Sequence, residues 1–108
     1  MSTTDRELLE LAAKAAGAEY EVDVDDYSIW LHSEIGGVTG EWNPLTDDGD
    51  ALRLAVTLSI GVFRDGLGVY CNHSCTRQLR VYPNEISDIY IATRRAIVCS
   101  DAEIGKVK

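Results

Sequence analysis

Between Glu19 and His32 polar and apolar residues take turns along the chain, and this period of two is the tightest constraint on its fold. Glu19, Glu21 and Asp23 alternate with Tyr20, Val22 and Val24; further on, Ser28, Trp30 and His32 alternate with Tyr27, Ile29 and Leu31. Successive side chains of a strand point to opposite faces, so each run reads as a strand with one covered and one solvated face. Asp25-Asp26 is the polar break between them, and the pair reads as a β-hairpin. A lone hairpin is marginally stable in water, so the flanking sequence must supply a cover.

The cover reads as helices. Thr4, with Glu7 three residues on, fits a capping box. Leu8, Leu11, Ala12 and Ala15 follow at helical spacing, Leu9 and Ala16 widen the stripe, and Gly17 stands where a C-terminal cap belongs. A second helix follows Trp42-Asn43-Pro44-Leu45. Pro44 disfavours the helical conformation at Asn43, which makes Thr46 the expected N-cap and puts Asp47, Asp48 and Asp50 in the first turn. Ala51, Leu54, Ala55 and Leu58 form its apolar stripe and Gly61 its expected end. A third helix is expected from Ser87 or Asp88 to Glu103, with Ile89, Ala92, Ala96 and Cys99 inward, Ile97 beside them and Gly105 as a stop.

Between these helices lie a stretch expected to be loop, Ser33 to Gly40 with its three glycines, and a set of short strands. Val62-Phe63-Arg64 runs into the turn dipeptide Asp65-Gly66. Leu67 to Cys71 and Arg77 to Tyr82 flank a turn at Asn72-His73-Ser74, and Pro83-Asn84 closes the series. The expected order is α-β-β-α-β-β-(β)-α. This is an α+β chain with a mainly antiparallel sheet of about four to five strands and three helices, arranged as a three-layer α/β/α-like sandwich. At 108 residues it forms a single domain, 1–108, with room for one core.

Charge is distributed unevenly. Residues 1–50 carry 13 acids and two bases, a balance of −11, while residues 51–108 carry five acids and eight bases, a balance of +3. An acidic first half is unsuited to phosphate, so no direct nucleic-acid binding is expected there. It suits a cation or a partner with a basic surface. Arg77, Arg80, Arg94 and Arg95 could form a basic patch on the second half, able to meet the acidic half of a second copy in a homodimer. No apolar run approaches membrane-spanning length and the first residues do not read as a secretory signal. A cytoplasmic protein with reduced thiols at Cys71, Cys75 and Cys99 is expected, Cys99 serving as a small hydrophobe on a helix face.

Trp42-Asn43-Pro44-Leu45-Thr46-Asp47 opening an amphipathic helix, the closing Ala92-Thr93-Arg94-Arg95-Ala96-Ile97 and the opening Leu8-Leu9-Glu10-Leu11-Ala12-Ala13-Lys14-Ala15-Ala16-Gly17 together resemble small proteins of tailed phages and prophages. The layout is similar to that of the phage ABA sandwich domain, over roughly Glu7 to Lys106. Phe63 to Tyr82 carries nothing in common with that family. The resemblance implies a phage or prophage origin and a three-layer fold. It implies no activity, and a fold does not by itself assign a function.

Three constellations bear on chemistry. Cys71, His73 and Cys75 place two thiols and an imidazole within five residues, soft ligands of the kind zinc takes. A structural zinc site needs a fourth ligand and the spacing departs from the usual two-residue gap, so a hairpin turn with incidental thiols is the simpler reading. Asp23, Asp25 and Asp26, with Asp47, Asp48 and Asp50, could gather around a hard cation, yet neither run has the glycine and distal glutamate of an EF-hand loop. No nucleophile elbow or phosphate loop is present, and no enzyme activity or cofactor is expected.

Trp30 and Trp42 are candidate anchors for a partner, with Asp23, Asp25, Asp26, Asp47, Asp48 and Asp50 as its electrostatic guide. The expected function is that of a small acidic phage-encoded binding protein in the host cytoplasm. It would inhibit or modulate a host macromolecule with a basic surface, such as a defence nuclease complex. A homo-oligomeric phage structural or accessory protein and a zinc-binding or thiol-dependent module are the alternatives.

Overall fold

The computed structural model describes residues 4–26, 28–64, 69–73, 76–81 and 88–107, leaving aside the side chains of Tyr70 and of 73–81. The chain runs α1 (Asp5–Ala15), β1 (Tyr20–Val22), β2 (Ile29–Ile35), β3 (Val38–Trp42), α2 (Asp48–Thr57), β4 (Gly61–Arg64), β5 (Val69–His73), β6 (Thr76–Val81) and α3 (Ile89–Lys106). The architecture is α+β, with three helices and antiparallel strands, as expected. The strands divide into two three-stranded sheets, β1-β2-β3 and β4-β5-β6, rather than joining in one sheet of four to five.

The first helix forms as its sequence dictates. Thr4 Oγ1 accepts the Glu7 N–H at 3.2 Å, and its hydroxyl donates to the Glu7 carboxylate at 3.1 Å. At the other end the Gly17 and Ala18 amides donate back to Lys14 and Ala13, the paired bonds of a Schellman motif.

Three expectations about helix and strand ends need correction. Ser33 to Gly40 is not a loop. Gly36 and Gly37 have φ of +61° and +84°, the left-handed pair that a two-residue hairpin turn demands, and they join β2 to β3. Glycines that look like breakers in the sequence are here the turn itself. The N-cap of α2 is Asp47, not Thr46: its carboxylate accepts the Asp50 N–H at 2.8 Å. Finally, α2 ends at Thr57 with Ser59 in the left-handed region (φ 55°), so Gly61 opens β4 instead of ending the helix.

Gly105 is likewise no stop signal. It lies buried within α3, where a Cβ would overlap the Leu11 carbonyl oxygen and sit 2.8 Å from the carbonyl carbon. The bare backbone at this point lets α1 and α3 approach more closely than any side chain permits. α3 also packs against β5, β6 and α2, which makes it the shared element of the structure. The inner face of the first sheet (Ile29, Leu31, Ile35 and Trp42) joins Leu54 of α2 and Ala12 of α1 in one buried core. Tyr20 fastens β1 to α1 by donating its hydroxyl to Glu10 at 3.3 Å. Among the described residues no helix is long and apolar enough to cross a membrane.

Candidate functional site: an acidic sheet face around Trp30

The outer face of the first sheet follows from strand alternation. Ile29, Leu31 and Ile35 turn inward, which turns Trp30, His32 and Glu34 outward. Register then sets the neighbours. Trp30 on the central strand stands directly opposite Glu21 of β1 on one side and Glu41 of β3 on the other. One edge carbon of its ring comes within 4.0 Å of where a Cβ on Gly40 would stand, and 43% of the residue is exposed. Directly opposed residues have their Cβ atoms about 5 Å apart, so two carboxylates flank one indole within side-chain reach.

The rest of the face has the same sign. Glu19 precedes β1 and Glu34 is the last residue but one of β2, both exposed, and no lysine or arginine occurs in the sequence between Lys14 and Arg53. His32 Nε2 lies 3.5 Å from Glu21 and is the only other titratable group on β2 besides Glu34. Asp23, Asp25 and Asp26 form the hairpin turn beyond β1. Asp23 Oδ1 accepts the amides of Asp25 at 2.8 Å and Asp26 at 3.3 Å, and Asp26 Oδ1 accepts the Ser28 amide at 2.9 Å. The bonds from Ser28 hold the Asp26 carboxyl below the usual range, so it stays ionised and solvated.

The other predicted partner residues are occupied elsewhere. Trp42 is 2% exposed and lies on the inner face opposite Ile29, where the core claims its ring, so it is no surface anchor. Asp50 is buried, accepting the Asn43 amide at 3.0 Å and the Arg53 guanidinium at 2.7 Å. Asp47 lies 3.8 Å from the same guanidinium, and Asp48 accepts from Arg94 at 2.5 Å. These three carboxylates cap α2 and tie it to α3; Asp47 and Asp48 remain exposed, but Arg53 and Arg94 offset most of the charge of the three. Arg94 also donates to the Leu45 carbonyl at 2.9 Å and Arg95 to Asp5 at 3.0 Å, so both serve as internal ties rather than a basic patch. The side chains of Arg77 and Arg80 lie outside the described set.

The thiol constellation divides in the same way. Cys71 on β5 is fully buried, while the His73 side chain and Cys75 lie outside the described residues. Burial, with the nearby Asp101, pushes the Cys71 thiol up to about 12, which keeps it protonated and unreactive at neutral pH. Cys99 is partly buried and its thiol is also raised, chiefly by burial. Among the described residues no three His, Cys, Asp or Glu side chains gather as metal ligands.

Two features escaped the sequence reading. Glu21 was legible: a hairpin centred on Asp25-Asp26 pairs residue 21 with residue 30. Glu41 was not, because its place depends on the Gly36-Gly37 turn. The other feature is Asp101, fully buried in α3, whose carboxylate oxygens meet no hydrogen-bond partner among the described residues. Burial raises it to about 8. Its place between Ile97 and Ile104 on one helical face was the available signal.

No family model, curated protein or solved structure matches this chain.

Proposed function

We propose that this chain is a small acidic binding protein that docks the outer face of its first sheet onto a basic surface of another macromolecule. The resemblance to phage and prophage proteins supports a phage-encoded protein that blocks or modulates a host macromolecule in the host cytoplasm. The observation that carries the reading is Trp30, an exposed aromatic between Glu21 and Glu41 on a face built from strands without a lysine or arginine. Solvated carboxylates steer a basic partner and fix its register, and an aromatic anchor supplies contact area once water is excluded. The test is capture from host lysate at low and high salt. The wild-type domain is expected to retain a basic partner that Glu21→Lys/Glu41→Lys loses and Asp48→Asn keeps. Equal capture by all three proteins defeats the reading.

A second reading, self-association, is favoured by one observation. Leu52, Val62 and Tyr90 are exposed around an apolar groove of about 490 Å³ between α2, β4 and the start of α3. Contiguous exposed apolar surface is a common mark of interfaces. Light scattering across concentration separates the two, since only self-association makes the mass rise with concentration.

A further inference from the structure

Resting on the docking reading above, we infer that Trp30, Glu21 and Glu41 form a receiving position for one arginine side chain of the partner. Strands of a sheet lie about 4.8 Å apart, so the backbones carrying Glu21 and Glu41 are about 10 Å apart with Trp30 midway. A planar cation stacked on the indole lies between two carboxylates and within reach of both. Guanidinium suits this place better than ammonium. It is flat, stacks on an aromatic face, is weakly hydrated, and offers donors along two edges, one towards each glutamate. An ammonium is a compact, strongly hydrated point charge that gains little from the ring.

The alternatives fit less well. A divalent cation would need several oxygens converging on one point, and the ring between the two glutamates keeps them apart. An anion meets like charge on every side. An apolar segment would bury both carboxylates without partners. His32, 3.5 Å from Glu21, can hold that carboxylate towards the strand without closing the face of the ring.

The experiment titrates the intact domain with an arginine-rich and a lysine-rich peptide of equal length and charge. It follows the two indole N–H resonances by ¹⁵N-correlated NMR. Binding of the arginine peptide should move the Trp30 resonance, leave that of buried Trp42 in place, and be at least several-fold tighter than binding of the lysine peptide. Trp30→Ala and the double variant Glu21→Gln/Glu41→Gln should each weaken the arginine peptide about tenfold and erase the preference over lysine, while Asp48→Asn, off this face and paired with Arg94, keeps that preference. Trp42 fluorescence verifies that each variant is folded. Equal affinities for the two peptides with a still Trp30 resonance would overturn the arginine position and leave docking by net charge intact. Absence of binding to either peptide at low salt would remove both.

Discussion

Two acidic regions of this chain, nearly equal in charge and close in sequence, use their carboxylates in opposite ways. At the start of α2, Asp47 and Asp50 share Arg53 and Asp48 pairs with Arg94, so two guanidinium groups offset most of the charge of three carboxylates. On the first sheet, Glu19, Glu21, Glu34 and Glu41 face water with no lysine or arginine on their own strands. The two tryptophans divide along the same line: Trp42 leads into the first region and is buried, while Trp30 sits among the second and is exposed. Composition cannot separate charge that holds a fold together from charge that remains available. The location of the nearest guanidinium does.

The comparison breaks most visibly at the tryptophans. Trp42→Ala should cost about 3–5 kcal/mol, whereas Trp30→Ala should cost less than about 1 kcal/mol, by urea unfolding. Comparable costs would mean that the two rings do not differ in role. The carboxylates come next. Asp50→Ala removes the acceptor of the part-buried Arg53 guanidinium and of the Asn43 amide, with an expected loss of about 1–3 kcal/mol. Glu21→Gln with Glu41→Gln should shift stability by less than about 0.5 kcal/mol in the same assay.

Asp101 sharpens the contrast from a third direction, being buried and, among the described residues, without a hydrogen-bond partner. Its folded-state pKa of about 8 lies above the ordinary value near 4, so over that range the folded chain holds a proton that the unfolded chain has released. Its contribution to stability is therefore present in full below about pH 4 and is lost as pH rises to about 8. Asp101→Asn should flatten this slope and stabilise the domain at pH 8 by about 1–3 kcal/mol, read from unfolding midpoints between pH 5 and 9. Asp48→Asn has a small effect of its own. It removes an exposed partner of Arg94, with an expected loss of about 0.2–1 kcal/mol that shrinks in high salt.

Local physics made much of the fold legible in the sequence. The Thr4–Glu7 cap, the Gly17 terminus and the β1–β2 hairpin depend on residues within a few positions of one another, and all are present. Misreadings arose where one residue type serves two ends. Gly36-Gly37 makes a tight turn rather than a loop, Ser59 takes the left-handed turn assigned to Gly61, and Gly105 is a contact rather than a terminus. The candidate site was half legible. Alternation set Trp30 on the face opposite Tyr27, Ile29 and Leu31 without deciding which face is covered, and hairpin symmetry about Asp25-Asp26 holds the Glu21 pairing, but Glu41 needed a second turn and the fate of Asp47, Asp48 and Asp50 needed tertiary partners. No local pattern announces that Arg94, on the last helix, will reach back to Asp48.

The close crossing of α1 and α3 has a consequence for biosynthesis. Of the three helices, α1 docks on α3, the one farthest along the chain from it, and their Asp5–Arg95 tie spans 90 positions of chain. Until α3 has left the ribosome, the apolar stripe of Leu8, Ala12 and Ala15 has no permanent home and must wait as nascent, chaperone-accessible surface. Docking of α1 is thereby deferred until α3 has emerged, and a nascent chain stalled before Ala92 should remain protease-sensitive throughout α1.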